Sequence, residues 1–183
     1  SDDDLRSAFD LTVGSGSVYL YDHFGSLETD NLLNKVRYLA KGCGVSYVIL
    51  DHLSIVVSDQ DGGDERKTID RLMTKLRALV QETGIGMLLV SHLKRPEGRG
   101  HEEGTTTSLS RLRGSASIAQ LSDTVIGLER NQQAAENRNP TQMRVLKNRY
   151  SGLTGACCYL KYDNFTGRMS ETSKPKEDID SAL

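Results

Sequence analysis

Three predicted strands of this chain each end in side chains that could act on a phosphate group. The strands and the polar residues that follow them are 45–50 before Asp51, 87–91 before His92, and 143–146 before Lys147, Asn148 and Arg149. In open α/β sheets, ligands bind at the carboxyl ends of the strands. The sequence therefore predicts a carboxylate, an imidazole and two cations along one rim of a sheet.

Asp51 follows a run of apolar residues typical of a strand that is buried on both faces. A carboxylate in this position can hold Mg²⁺ through water beside the phosphates of a nucleotide. An aspartate at a strand end can also cap the turn that follows it. Taken alone, Asp51 leaves the metal site and the structural cap as open alternatives.

His92 offers an imidazole at the end of the next predicted strand. An imidazole there can contact a terminal phosphate and relay its hydrolysis to the following loop. The alternative is a structural histidine at the rim of the sheet. The other three histidines show no convergent spacing of metal ligands and are interpreted as structural or surface residues: His23, His52 and His101.

Lys147 and Arg149 are two residues apart, so they lie on the same face of a strand. Two cations at a strand end suit the oxygens of a phosphate group. The alternatives are a solvated strand end, or an ion pair with the C-terminal tail.

The segment 94–108 is rich in glycine, threonine and charge, which predicts a mobile loop. Its cations Lys94, Arg95 and Arg99, together with its glycines, could follow a phosphodiester backbone. Three glutamates dilute this positive charge and keep open the alternative of a solvated charge cluster: Glu97, Glu102 and Glu103.

A phosphate-binding loop of the form Gly-x-x-x-x-Gly-Lys-Ser/Thr occurs nowhere in the 183 residues. Gly14 and Gly16 do not replace it, because no lysine follows them and no strand clearly precedes them. We interpret these two glycines as a surface turn.

Length and composition indicate one soluble domain with a hydrophobic core, since 37% of residues are hydrophobic and 26% are charged. No apolar run approaches the roughly 20 residues that span a bilayer, and the acidic first residues do not resemble a signal peptide. The net charge of −2 argues against a globally basic nucleic-acid binder. Three cysteines without metal or redox spacing fit a reducing cytosol.

Hydrophobic periodicity predicts alternating strands and helices, and therefore an α/β fold with parallel strands in the first half. A helix begins at Thr29 and stops at Gly42, and a second helix with apolar residues over 69–80 ends at Gly84. The remaining predicted elements are a strand over 17–21, a short helix over 115–121, a strand over 124–128, a hairpin that pairs the strand before Arg149 with 156–162, and a disordered tail from Lys174.

The order and wording of these motifs together resemble one family. From about residue 20 to residue 166, the chain is similar to the helicase domain of the bifunctional primase–helicase of short-tailed, T-seven-like phages. That domain belongs to the hexameric, DnaB-like branch of RecA-fold motors, with the Twinkle helicase as a distant relative. The stretches that carry the resemblance are VILDHLSIVV (48–57), DERK (64–67), LMTKL (72–76), SHLK (91–94), HEEG (101–104), LRGS (112–115), QLSDT (120–124), LERNQQ (128–133) and KNRYSG (147–152).

The resemblance implies roles for the residues at the strand ends. Asp51 matches the Walker B aspartate that positions Mg²⁺, and His92 matches the γ-phosphate sensor. Arg149 matches an arginine finger that is donated to the nucleotide of a neighbouring subunit, and Lys147 is expected to support it.

Further roles follow from the same resemblance. Arg130 and Tyr162 match positions that sandwich the nucleotide base, for which an aromatic face and a guanidinium plane are suited. Arg113, Gly114 and Gln120 match the last helicase motif, which contacts DNA or couples to it. Ala119 stands where related sequences carry a basic residue, which is expected to weaken one DNA contact.

The implied fold is a RecA-like, mixed but mainly parallel sheet flanked by helices, with its phosphate-loop strand absent on the N-terminal side. Residues 1–170 would form a partial helicase core, and 171–183 a disordered tail. The Walker A loop and the catalytic glutamate are expected N-terminal to residue 1, so the chain alone is predicted to be inactive.

The implied function is ATP-dependent DNA unwinding at a phage replication fork in the cytoplasm of a bacterial host. Its implied substrates and partners are ATP or dTTP with Mg²⁺, single-stranded DNA, identical subunits in a hexameric ring, and a phage DNA polymerase that contacts the tail. No membrane is involved on this interpretation. The alternatives are a non-catalytic RecA-like assembly or DNA-binding module, and a recombinase-type RecA-fold ATPase.

Overall fold

The computed structural model describes residues 1–21, 29–53, 65–94, 100, 102–112, 116–133 and 140–175. The chain divides into two compact units, Ser1–Ser91 and His92–Leu183. Several predicted DNA-contacting residues lie outside the described residues: Arg95, Arg99, Arg113 and Gly114.

The first unit contains three described α-helices and a two-stranded sheet. Its elements are α1 (Asp2–Leu11), a 3₁₀ turn (Val13–Ser15), α2 (Thr29–Gly42), β1 (Tyr47–Leu50), α3 (Glu65–Thr83) and β2 (Gly86–Leu89). Helices α2 and α3 end close to the predicted glycines, and Gly84 adopts φ +75° just after α3. None of the described helices is long and apolar enough to cross a membrane.

The core of the first unit lies between α2 and α3. Apolar side chains at helical spacing are buried along both helices, as the periodicity predicts: Leu32, Leu33 and Val36 from α2, and Ile69, Leu72, Met73, Leu76 and Leu79 from α3. Ion pairs join the exposed margins of the same two helices.

Strands β1 and β2 pair in parallel, with Tyr47 opposite Gly86 and Leu50 opposite Leu89. One face of this sheet is partly covered. The other face is exposed to solvent, with Ile49 69% and Leu88 54% accessible.

The N-terminal region differs from the expectation drawn from the sequence. Residues 17–21, predicted as a strand, form none, because a segment without a hydrogen-bonded neighbour cannot satisfy its backbone groups as a strand. Helix α1 was not predicted. Its signal is the capping box in which Ser1 and Asp4 exchange hydrogen bonds.

The second unit contains a 3₁₀ turn, one short α-helix and an antiparallel sheet. Its elements are the turn Leu109–Arg111, α4 (Ala116–Leu121), β3 (Thr124–Glu129), β4 (Thr141–Asn148), β5 (Gly155–Tyr162) and β6 (Met169–Thr172). The strand order is β3-β4-β5-β6, and every pairing is antiparallel. The predicted hairpin between β4 and β5 is confirmed, whereas β6 was not predicted.

The described strands therefore combine one parallel pairing with three antiparallel pairings, and the predicted mixture of strand directions is confirmed. Along β3, the inward residues Val125 and Glu129 are buried, and the outward residues Ile126 and Leu128 are exposed. The tail from residue 176 lies outside the described residues, so its disorder stays a prediction.

Candidate functional site

Asp51 follows β1 directly and is exposed at the carboxyl end of the parallel sheet. The backbone beyond the strands stays joined there, because Val90 N–H donates to the Leu50 carbonyl at 3.0 Å and Leu53 N–H donates to the Val90 carbonyl at 2.9 Å. These two bonds hold the Asp51 backbone at a defined position on the rim while its side chain remains in solvent.

The single carboxylate of Asp51 suits magnesium, which keeps water and phosphate ligands, better than it suits a metal ion held entirely by protein side chains. Among the described residues, no three His, Cys, Asp or Glu side chains are grouped to hold a metal. Magnesium bound to a nucleotide commonly uses one or two carboxylates and takes its other ligands from phosphate and water. A single exposed carboxylate such as Asp51 suits that arrangement.

His92 is exposed and lies three residues beyond the end of β2, as the first residue of the second unit. The next two residues close the base of a loop. Leu93 forms a β-bridge with Leu112, and Lys94 N–H donates to the Arg111 carbonyl at 2.8 Å. The loop predicted to bind DNA is thus closed by backbone contacts immediately after His92.

Lys147 is bound to the carboxyl end of α4. Its ammonium group donates to three backbone carbonyls, those of Ala119 at 2.6 Å, Gln120 at 3.1 Å and Ser122 at 2.8 Å. An ammonium has three donors, and the last carbonyls of a helix have no partners within the helix. Lys147 therefore caps α4 with all three of its donors, and its predicted role at a nucleotide stays a prediction.

Arg149 is held beside Lys147. One guanidinium nitrogen donates to the Gln120 carbonyl at 3.1 Å, and the other lies 2.9 Å from Oδ1 of Asp123. The Arg149 backbone N–H also donates to the Asp123 carbonyl at 2.8 Å. Arg149 is thus oriented by α4 and Asp123. It is still accessible to a ligand, because 45% of its side chain remains exposed.

The Gln120 carbonyl accepts hydrogen bonds from both cations, while the residue itself is exposed. The structure thus brings together a predicted DNA contact, Gln120, and the predicted arginine finger, Arg149. Asp123 was not singled out in the sequence. The sequence feature that could have identified Asp123 is its position at the turn between α4 and β3, since both elements were predicted.

Arg130 and Tyr162 lie at the opposite end of the same sheet. Glu129 pairs with Gln142, and Gln142 pairs with Tyr159, so the end of β3 and the end of β5 lie side by side across β4. Because residues alternate between the two faces of a strand, Tyr162 lies on the same face of the sheet as Leu128. Arg130, two residues after Leu128, continues on that face. The two predicted base contacts are thus about two strand spacings, roughly 10 Å, apart across the sheet.

The two ends of the sheet are well separated. Lys147 pairs with Val125 near the start of β3, whereas Gln142 pairs with Glu129 at its end. The five steps from Gln142 to Lys147 span about 17 Å of strand. Arg130 and Tyr162 are therefore not neighbours of Arg149 in one copy of the chain.

Glu129 is a buried carboxylate that was not predicted as a site residue. Thr107 donates both its backbone N–H, at 2.8 Å, and its hydroxyl, at 2.7 Å, to Oε1 of Glu129. Arg144 donates to the two carboxylate oxygens at 2.6 and 3.2 Å. Burial raises the pKa of Glu129, but the hydrogen bonds from Arg144 and Thr107 outweigh burial and hold the pKa below its usual value. The signal in the sequence is a charged residue at an inward position of an alternating strand.

Comparison with known proteins places these features in a family context. The family of the DnaB-like helicase C terminal domain matches residues 8–170. The chain is 46% identical over 166 residues to the DNA helicase/primase of Enterobacteria phage T3, covering 90% of this chain and 29% of that protein. It is 24% identical to the replicative DNA helicase DnaB of Geobacillus stearothermophilus, covering 90% of this chain and 39% of that protein.

Two solved structures share the fold. A structure described as a DnaB-like replicative helicase and its interactions with primase matches 76% of this chain and 34% of its own, with a TM-score of 0.63 and 20% identity. A KaiC-like protein of Pyrococcus horikoshii matches 90% of this chain and 64% of its own, with the same TM-score and 13% identity. These neighbours confirm the RecA-like fold expected from the sequence.

Proposed function

Because the chain belongs to the family of the DnaB-like helicase C-terminal domain, we propose that it is part of a ring-forming, ATP-dependent replicative DNA helicase of the phage primase–helicase type. The chain spans 29% of the phage relative and 39% of the bacterial one, so this activity is proposed for a longer protein. In that protein, nucleotide hydrolysis drives movement along single-stranded DNA and unwinding of the duplex.

The observation that carries this proposal is the separation of Arg149 from Arg130 and Tyr162. One nucleotide base held at Arg130 and Tyr162 would lie at the far end of the sheet from Arg149 of the same chain. Arg149, accessible and fixed by Asp123, is therefore suited to the phosphates of a nucleotide held by a neighbouring copy. A ring of identical subunits, expected to be a hexamer, supplies such a neighbour at every site.

ATP or dTTP is the proposed substrate, with Mg²⁺ held through water by Asp51. When bound, Mg²⁺ neutralises charge that develops on the transferred phosphoryl group. The side chain of Asp51 would orient the ion, His92 would contact the terminal phosphate, and Arg149 of the adjacent copy would stabilise the same charge.

Single-stranded DNA is the proposed second ligand. Lys94, which begins the closed loop, would contact the DNA backbone together with Arg95 and Arg99 of that loop. Gln120 on α4, with Arg113 and Gly114 before that helix, would contribute further DNA contacts. A phage DNA polymerase is proposed to contact the C-terminal tail, and the complex would act in the cytoplasm of the bacterial host.

The DNA proposal is tested by titrating a fluorescent thymidine oligonucleotide with the chain at several salt concentrations. Lys94→Ala is expected to weaken binding and to reduce the salt slope by about one counterion. Lys161→Ala, which removes an exposed lysine on β5, is the matched control. An unchanged salt slope in Lys94→Ala would mean that the loop charges are only solvated.

The catalytic proposal is tested in a form of the protein that includes a phosphate-binding loop. Asp51→Asn keeps the volume of the side chain but removes the charge that holds Mg²⁺, so hydrolysis is expected to be abolished while the fold is retained. Near-normal turnover in Asp51→Asn would contradict the metal assignment.

A non-catalytic RecA-like assembly or DNA-binding module is the second candidate. The RecA-like fold is compatible with it, because a fold does not by itself fix a function. The two candidates differ in one measurement. DNA-stimulated hydrolysis by a form that contains a phosphate-binding loop supports the helicase, whereas DNA binding without hydrolysis in that form supports the module.

A further inference from the structure

Glu129 is a buried charged residue at an inward position of β3, where it pairs with the half-buried Arg144. Glu129 is only 7% exposed, and Val125, another inward residue of the same strand, is apolar. Removing a carboxylate from water is unfavourable, and buried ion pairs can often be replaced by packed apolar residues without loss of stability. Stability alone therefore does not account for the charge at Glu129.

Glu129 holds one residue of the loop in a fixed orientation. Thr107 is 3% exposed and uses both of its donors on the same carboxylate oxygen. Gly127 makes room for this contact, since a Cβ atom at that position would lie 2.1 Å from Oγ1 of Thr107. Because Thr107 makes two hydrogen bonds to one oxygen of Glu129, both its distance from Glu129 and its orientation are fixed.

The rest of the same stretch is attached to the residues that follow β3. Glu103 forms a β-bridge with Asn131, and Gln132 N–H donates to the Glu102 carbonyl at 2.7 Å. The stretch 102–107 therefore lies along the segment 129–132, which includes Arg130. The residues at the far end of the loop also contact its first cation, since Lys94 N–H donates to the Arg111 carbonyl.

We propose that Glu129 is a positioning residue: with Thr107 it joins the loop that begins at Lys94 to the segment that carries Arg130. A change at the loop when DNA binds is then transmitted to the end of the sheet where the base contact is proposed. Because coupling between two sites is reciprocal, a change at the base contact is also transmitted to the loop. This inference rests on the proposed DNA-binding function only for the identity of the ligand. The joint itself consists of contacts within the chain.

The test is hydrogen exchange of the chain with and without a single-stranded thymidine oligonucleotide. Thr107→Val removes the hydroxyl bond while keeping the size of the side chain, and Glu129→Gln removes the charge. Thr105→Val is the matched control, because the Thr105 hydroxyl donates to the Gly100 carbonyl inside the loop rather than to β3.

In the unaltered chain and in Thr105→Val, DNA is expected to slow exchange both in 102–112 and in 129–133. In Thr107→Val and Glu129→Gln, DNA should still slow exchange in 102–112, but the slowing in 129–133 should fall by about fivefold or more. Undiminished slowing in 129–133 in both variants would overturn the proposed joint. Exchange in β5, in the same unit as the substituted residues, reports any general loss of stability.

A failure of the DNA proposal gives a different result. If the unaltered chain does not bind the oligonucleotide, the joint is judged in the free chain by the Gln132 amide, which donates to the Glu102 carbonyl. That amide is expected to exchange about fivefold faster in Thr107→Val and Glu129→Gln than in Thr105→Val. Equal rates in all three variants would overturn the joint independently of any ligand.

Discussion

At the residue scale, the two cations predicted to face phosphate have different roles in the structure. Lys147 directs its donors inward to the end of α4, whereas Arg149 keeps nearly half of its side chain in solvent. A guanidinium has five donors, so Arg149 can hold Asp123 and Gln120 and still offer donors to a ligand. Both cations are fixed to the same helix end, and support of Arg149 by Lys147 at a nucleotide stays a prediction.

Lys147→Met is expected to lower the stability of the second unit by about 1–3 kcal/mol, because three backbone carbonyls, two of them partly buried, lose a charged donor. The measurement is urea unfolding monitored by a probe in the second unit. Lys161→Met, an exposed substitution on β5, should change the unfolding free energy by no more than about 0.5 kcal/mol. Equal stability of the two variants would show that the cap on α4 is not needed.

Arg149→Ala is expected to act on a neighbouring subunit. In rings that mix mutant and unaltered subunits of a form carrying a phosphate-binding loop, activity should fall faster than in proportion to the mutant fraction. Each mutant subunit would impair the adjacent site as well as reduce cooperation around the ring. A strictly linear loss of hydrolysis, in rings whose subunits are shown to cooperate, would count against a finger donated between subunits.

At the element scale, helices α2 and α3 are joined by a core and by charges at its margin. Glu82 of α3 accepts from Arg37 at 3.1 Å and from Lys41 at 2.8 Å, and Lys75 of α3 pairs with Asp30 of α2. Hydrogen bonds from Arg37, and then from Lys41, lower the pKa of Glu82 to about 2. All these side chains are substantially exposed, so the buried apolar residues, and not the ion pairs, supply most of the stability.

The lowered pKa of Glu82 predicts a specific dependence on pH. A carboxyl group whose pKa is lower in the folded chain stabilises the fold above its unfolded value of 4.5, and this contribution is lost as the pH falls towards 2. The melting temperature of the chain should therefore fall more steeply over this range than that of Glu82→Gln. The difference should shrink in high salt, because exposed charges are screened.

Glu171→Gln, which alters an exposed carboxylate on β6, is the control for Glu82→Gln. It should leave the pH dependence of the melting temperature close to that of the unaltered chain. Matching curves for all three proteins would show that the contacts of Glu82 do not contribute to stability in solution.

At the scale of the whole molecule, both sheets expose an apolar face. On the parallel sheet the exposed residues include Ile49 and Leu88, and on the antiparallel sheet they include Ile126 at 52% and Leu128 at 59%. Parallel sheets are normally covered on both faces. Apolar patches exposed in this way favour association.

The isolated chain is therefore expected to bind a hydrophobic dye and to associate at modest concentration, with fast hydrogen exchange around Val90 and Ile126. Light scattering across a concentration series measures the association. The double variant Ile49→Thr, Leu88→Thr should reduce both dye binding and association, because it makes one exposed face more polar. A monomer with a sharp melt and slow exchange in those strands would contradict this prediction.

The sequence by itself determined most of the described elements and their order. Apolar residues recur at helical spacing in α3, glycine follows its end, and short apolar runs mark β1 to β5, since these signals are local and need no partner. The same local signals located Asp51 directly after its strand. They misjudged residues 17–21 because an apolar run becomes a strand only when another strand pairs with it.

Only the tertiary structure decided which groups these residues contact. Glu129 meets Thr107 and Arg144 from 22 and 15 residues away, and Lys147 reaches carbonyls in and just after α4 that lie 25 to 28 residues before it. It also decided that Arg149 and Arg130 stand at opposite ends of one sheet. Periodicity reports the environment of a side chain along its own element, whereas a hydrogen-bond partner depends on the path that brings distant segments together, and no local spacing encodes that path.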